Sequence, residues 1–491
     1  MIEIINEKPE MNTGRTKPAQ DPRFNVLLLV LLGLLLAVIA AYLISQGNWV
    51  IAASVVILIP SAFLLNGQPF LGVILWLMVM PFVSVFPRSD LAYWMFYRIM
   101  PPALLGLAVL SRILKVRTHP PARIGPPELA MGLLALMVPG LITLLQTDGN
   151  RALIRFGDRM IIPFCMYLVV RLTAPRKNEF IHLQWVALFI ALSQSIIGLV
   201  SWVAPQVLPQ TWHYLNGLRT TGSLKDPDLY ALILTFSAIL LLHAAVNQKT
   251  GFIRLILFVA TGLCAIFAFL SLERAAWLGG VLVTIGLVFL YPKTMFRLLI
   301  VGAIVMAVLG TGILSSHVAL SIERFSEANP VYDRLVVFDA MSQMIQIKPV
   351  WGWGYETLDQ NIDQFYRRVG DATIVNRLLT SHNTYLTILT ELGLVGFLLY
   401  VFPVVWWFVL SIRIWWRIPK EGFWSRSLLG SLWLMMLFNF TVSNFMDMRW
   451  FEIGLTLWWL TLGLIANMVY PYLKNRDIKL PARIVLDEQH G

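Results

Sequence analysis

Charge is scarce in this chain. Asp, Glu, Lys and Arg make up 13% of its 491 residues, while 58% are hydrophobic. A soluble domain carries about 25% charged residues, and no water-exposed core hides this much apolar surface. A large soluble enzyme and a disordered chain are therefore excluded. Cysteine is nearly absent: Cys165 and Cys264 both lie in apolar runs. That excludes a secreted disulfide scaffold and leaves two small buried side chains. No G-x-x-x-x-G-K-[ST] phosphate loop, internal repeat or heptad pattern is present. No acidic pair has convincing metal-ligand spacing. Asp226-Pro227-Asp228 is the nearest case, and proline between the carboxylates weakens it. The first apolar run, 25–45, is too long for a cleavable signal and lacks a small-residue cleavage site.

Long apolar runs are what the chain does have. Mean hydropathy is +0.71, and an apolar stretch of about 20 residues spans a bilayer as a helix. Candidate spans centre on 25–45, 49–66, 69–87, 95–111, 127–147, 152–170, 180–204, 228–246, 252–271, 275–291, 296–315, 384–412, 427–446 and 450–470. The expectation is an all-α polytopic membrane protein with about 12–14 transmembrane helices. Its organisation would be a cytoplasmic tail (1–24), a first transmembrane bundle (25–315), a large outward loop with short helices (316–383), the last spans (384–470) and a second cytoplasmic tail (471–491). With both termini in the cytoplasm, most of the 38 lysines and arginines fall in cytoplasmic segments and few in short outer loops. The net charge of +11 is thus a topology signal, and nucleic acid is not an expected partner.

Polar clusters collect on the outward side. Ser381-His382-Asn383 ends the long loop at a membrane boundary. His382 fits either a hydrogen-bonded interfacial side chain or a general acid or base working near neutral pH. Arg219 to Asp228 (RTTGSLKDPD) joins two spans. It reads either as a capped turn, with Asp226 or Asp228 starting a helix, or as a phosphate cradle in which Arg219 supplies a planar fork. Glu273-Arg274 fits a snorkelling pair or an anion site, and Arg334 a surface charge or a ligand to an anion. Helical periodicity runs over 331–347, Pro349 ends it, and Trp351-Gly352-Trp353-Gly354-Tyr355 reads as a turn. Arg155 and Arg159 lie four apart within one span, with Asp158 beside them. Charges inside a span face the bundle interior or a water-filled cavity. An acid partner or an anionic ligand in an outward cavity fits both arginines.

Four motifs resemble those of the O-antigen ligase and polymerase superfamily, in that family's order. RTTGSLKDPDLYA (219–231) resembles R-x-x-G-x-x-x-D-P-N, with Asp228 where asparagine is usual. SLERAAWLGG (271–280) resembles S-x-S-R-G-A, with Glu273 in place of serine and Ala275 in place of glycine. DRLVVFDAMSQMIQIKPVWGWGYET (333–357) resembles the loop helix followed by P-x-x-G-x-G. SHNTYLTILTELGLVGFLLY (381–400) resembles the motif that opens the late spans.

The resemblance implies a GT-C fold in a bacterial cytoplasmic membrane, with the active site outward. It implies glycan transfer from undecaprenyl diphosphate to lipid A-core, another glycan or a protein hydroxyl. The reaction would be metal-independent and inverting, with no cofactor. His382 would activate the acceptor hydroxyl, and Arg219 and Arg334 would hold the diphosphate, with Arg274 nearby. Ligase, polymerase and protein O-oligosaccharyltransferase all fit. A flippase or secondary transporter fits less well: such proteins place charged sites near the bilayer midplane, often within repeated halves, and neither feature is visible.

Overall fold

The computed structural model describes residues 70–85, 89–113, 124–146, 149–175, 177–209, 212, 219–312, 315–326, 329–367 and 381–474. The expected spans at 25–45 and 49–66, and both tails except for residues 471–474, lie outside these residues. Every later expected span falls on a helix or a short series of helices. In chain order the helices that position the site are α1 (Phe70–Val79), α2 (Met100–Ile113), α3 (Pro126–Leu145), α4 (Asn150–Phe156), α5 (Ile162–Thr173), α6 (His182–Val203), α7 (Pro227–Asn247), α8 (Gly251–Phe269), α9 (Arg274–Leu290), α10 (Pro292–Thr311), α11 (Ser315–Ser326), α12 (Asn329–Ile347), α13 (Thr384–Ile414), α14 (Arg426–Ser443) and α15 (Glu452–Lys474). Among the described residues there is no β-sheet. Among the described residues seven helices are long and apolar enough to cross a membrane, and two shorter apolar helices, including α9, join them. The protein is an all-α polytopic membrane protein.

The outer surface carries what a soluble protein hides. Leu136 is 76% exposed, and Leu144 and Phe289 are each 81% exposed. Lipid is the natural solvent for such a face. Inside, α7 packs on α8, α15 on α5, α14 on α9 and α13 on α3. Trp76, Trp459, Tyr97 and Tyr230 are fully buried between them. One buried polar cluster is satisfied across three helices, as a dry interior favours. The Glu128 carboxylate accepts from the Tyr167 hydroxyl at 2.7 Å and from Arg171 Nε at 2.8 Å, and Trp407 Nε1 donates to the Tyr167 oxygen at 2.9 Å.

One helix is broken. Within α13, Gly393 has φ 63° and ψ −169°, which frees backbone groups on either side. The tryptophan–glycine turn after α12 takes them up. Trp353 N donates to the Thr390 carbonyl (3.0 Å) and Gly354 N to that of Glu391 (2.8 Å). In return Leu394 N donates to the Pro349 carbonyl (2.8 Å) and Val395 N to that of Val350 (3.3 Å). Unpaired backbone groups cost several kcal/mol in a membrane, of order 2–7 per group. The break therefore survives because the loop completes it. Trp353 Nε1 also donates to the Met344 carbonyl at 2.9 Å, tying the turn to α12. The helix expected over 331–347 is observed as α12, and α12 thus docks on α13 at the end that carries His382.

Candidate functional site

His382 is the middle residue of a short segment held from both sides. Asn383 caps α13: its side-chain oxygen accepts from Tyr385 N (3.0 Å) and Leu386 N (2.9 Å), and its Nδ2 donates to the Asn444 carbonyl (3.1 Å). Ser381 Oγ donates to Asp447 Oδ2 at 3.1 Å. Thr384 Oγ1 donates to the Met446 carbonyl (3.1 Å) and accepts from Met448 N (2.8 Å). The turn after α14 therefore grips the residues around His382, whose own backbone sits at φ 48°. Non-glycine residues rarely occupy this left-handed region, and those held there cluster at functional sites.

Burial holds the His382 imidazole below its ordinary value. The Arg334 guanidinium pushes the same way, and Asp447 and Asp333 pull it back. Arg334, near the start of α12, is half-buried. Burial lowers its proton affinity first, the like charge of Arg274 second, and Asp228 opposes both. His382, Arg334, Arg274 and Asp228, taken from four distant stretches of sequence, thus act on one another through a chain of neighbours.

Arg219, from the segment that leads into α7, lies against the turn before α9. Its Nε donates to the Ser271 carbonyl and its Nη2 to that of Leu272, both at 3.2 Å, and it forms an ion pair with Glu273. The Arg219–Asp228 segment is also the capped turn that its sequence allowed. Asp226 Oδ1 accepts from Asp228 N and Leu229 N, both at 2.9 Å, at the start of α7. Burial raises the Asp226 carboxyl, and those two backbone bonds and Arg219 offset part of that rise. Gly222, at φ 57°, cannot take a side chain: a Cβ there would sit 2.3 Å from the Gln194 Oε1.

Arg155 and Arg159 both pair with one carboxylate, Glu356, on the loop after the tryptophan–glycine turn. Arg159 also lies over the Trp450 ring at 4.6 Å. Asp158 turns the other way, accepting from Arg98 Nε at 2.7 Å. The reason is local: between α4 and α5 the chain runs through a π-turn, Gly157–Ile161. Its wider pitch changes which side chains share a face. Arg155 and Arg159 border a cleft of about 580 Å³ with Arg98, Arg151 and Glu452. Glu356, Ser381, Glu391, Asp447 and Arg449 border a second, smaller pocket. Glu356 thus stands between the two spaces.

A buried triad was not anticipated. Arg449 Nη1 donates to Glu391 Oε2 (2.6 Å) and Nη2 to Asp447 Oδ2 (2.8 Å), with all three side chains nearly closed off from water. Burial alone would raise the Asp447 carboxyl; the Arg449 guanidinium wins and holds it below the ordinary range. The signal was in the sequence: Glu391 is an acid inside an apolar span, and such an acid needs a cation.

No curated protein matches the chain. A family model described as O-antigen ligase matches residues 259–401, a segment that includes Arg274, Arg334 and His382. Over those residues, fewer than half of the chain, this polytopic helical membrane protein is similar to the O-antigen ligase family.

Proposed function

We propose that the protein transfers a glycan from an undecaprenyl-diphosphate-linked donor to an acceptor hydroxyl on the outer face of the cytoplasmic membrane, without a metal and with inversion. The observation that carries this reading is His382 beside Arg334, within a segment that matches the O-antigen ligase family. An imidazole kept neutral takes the acceptor proton as the oxygen attacks the anomeric carbon. The bond from that carbon to phosphate oxygen breaks, and the diphosphate leaves as an anion. Arg334 and Arg274 meet that developing charge, with Arg219 on the adjoining turn. Arg155 and Arg159, at the neighbouring cleft, contribute to an anionic part of the donor or acceptor.

Arg219→Ala and Arg334→Ala are each expected to raise the donor KM strongly, and lysine is expected to rescue poorly. An ammonium is a point charge and does not reproduce the planar fork. Transfer rates against donor concentration test this, and wild-type behaviour at limiting donor removes that arginine from the diphosphate site. Chelators are expected to leave transfer unchanged, because arginines meet the anion and the Asp226 carboxylate is engaged in capping α7. Loss of activity in EDTA, restored by magnesium, would turn attention to Asp226 and Asp228. Deleting the gene and examining surface glycans distinguishes the outcomes. Free lipid-linked polymer means ligation is lost, single repeat units mean polymerisation is lost, and a missing protein-linked glycan means a protein acceptor.

A further inference from the structure

We propose that Glu273 is a built-in competitor for the donor phosphate: it holds the Arg219 guanidinium between turnovers, yields it when the lipid-linked diphosphate binds, and retakes it as the diphosphate product leaves. This rests on the reading of the site as one that binds a diphosphate.

Three observations converge on Glu273. First, of the acceptors around Arg219, the Ser271 and Leu272 carbonyls are neutral and 3.2 Å away, whereas the Glu273 carboxylate is charged and pairs with the guanidinium directly. The two side chains are 8% and 13% exposed, so water screens their attraction little. A phosphate that seeks Arg219 meets that carboxylate first. Second, Glu273 stands at the N-cap of α9, where an acid ordinarily bonds the first backbone N–H groups, yet its carboxylate makes no capping bond. It is turned to Arg219 instead, on a turn whose Leu272 has φ 57°. Third, the arginines are already met by carboxylates: Arg219 by Glu273 and Asp226, and Arg334 by Asp228. A diphosphate brings further negative charge, so a carboxylate must withdraw for the arginines to favour it. Asp226 is tied to two backbone N–H groups and Asp228 acts on Arg334, which leaves Glu273, the carboxylate paired with Arg219, as the one that swings away. The serine found at this place in the resembling motif would bring no charge to contest.

The test uses the full-length protein in detergent and undecaprenyl diphosphate as the probe. Glu273→Gln keeps the shape and hydrogen-bonding capacity of the side chain and removes its charge. The variant is expected to bind the probe about tenfold more tightly than wild type, the difference between a charged and a neutral partner for Arg219. Its kcat is expected to fall as product release slows. Equal or weaker binding by a Glu273→Gln protein that unfolds at the wild-type temperature overturns the proposal and makes Glu273 a residue that positions Arg219. Arg219→Ala is the control for the underlying reading. If it binds the probe as well as wild type, or if wild type does not bind at all, the diphosphate site itself is misassigned and the competitor role falls with it.

Discussion

Replacing His382 with asparagine is expected to cut glycan transfer by roughly 10²–10⁴-fold while leaving membrane insertion and thermal unfolding as in wild type. Asparagine is the informative variant because the backbone there has φ 48°, a conformation asparagine tolerates better than most residues. Alanine should lose the same activity. Transfer at the wild-type rate by either folded variant would remove His382 from the chemistry. The pH profile supplies an independent check. Burial, together with Arg334, holds the imidazole below its ordinary 6.5. The neutral form, which is the base, therefore prevails at neutral pH, and activity drops as pH falls through a value under 6.5. Arg334→Gln takes away one repelling charge and raises the imidazole's proton affinity. Its residual activity should show the acid limb moved to higher pH. A limb that moves lower, or stays in place, separates Arg334 from His382.

Gly393→Ala is expected to have the largest effect on the fold. The Gly393 backbone, φ 63° with ψ −169°, lies in a region essentially only glycine adopts, which alone costs a residue with a Cβ about 1–3 kcal/mol. The added carbon would also lie 2.2 Å from the Val350 carbonyl oxygen and 2.6 Å from Gly352 N, both backbone atoms that no rotamer change can clear. Either α13 closes its break or the tryptophan–glycine turn lifts off, and both leave polar backbone unpaired. The expected result is a protein that accumulates poorly or melts at clearly lower temperature, with little transfer. Gly352→Ala should behave alike, since its Cβ would lie 2.4 Å from the Glu391 carbonyl oxygen. Gly280→Ala in α9, with nothing within 4 Å, is the control and should melt as wild type. A Gly393→Ala protein with an unchanged melting temperature would show that this docking does not hold the site together.

The two substitutions probe different kinds of information. His382 could be singled out from its neighbours in sequence: a histidine among small polar residues just before an apolar run. Asn383 and Asp226 as helix caps were equally open to sequence reading, because a cap joins residues two or three apart. The break at Gly393 was not. Glycine inside an apolar run is common in membrane helices, and nothing local distinguishes one that bends the chain from one that only eases packing.

By itself the sequence determined that the chain is a bundle of membrane helices and where most of those helices run. Helix formation closes its hydrogen bonds within four residues, and lipid accepts almost no other spanning structure. It also marked the segments carrying His382, Arg219, Arg274 and Arg334. The tertiary structure alone decided who neutralises whom. Arg219 faces Glu273, Arg155 and Arg159 share Glu356, Asp158 goes to Arg98, and Arg449 joins Glu391 to Asp447. Charge attraction acts through space and carries no record of sequence separation. Which carboxylate reaches which guanidinium depends on how each helix is rotated, and a π-turn at Gly157 and a break at Gly393 reset that rotation for two of them.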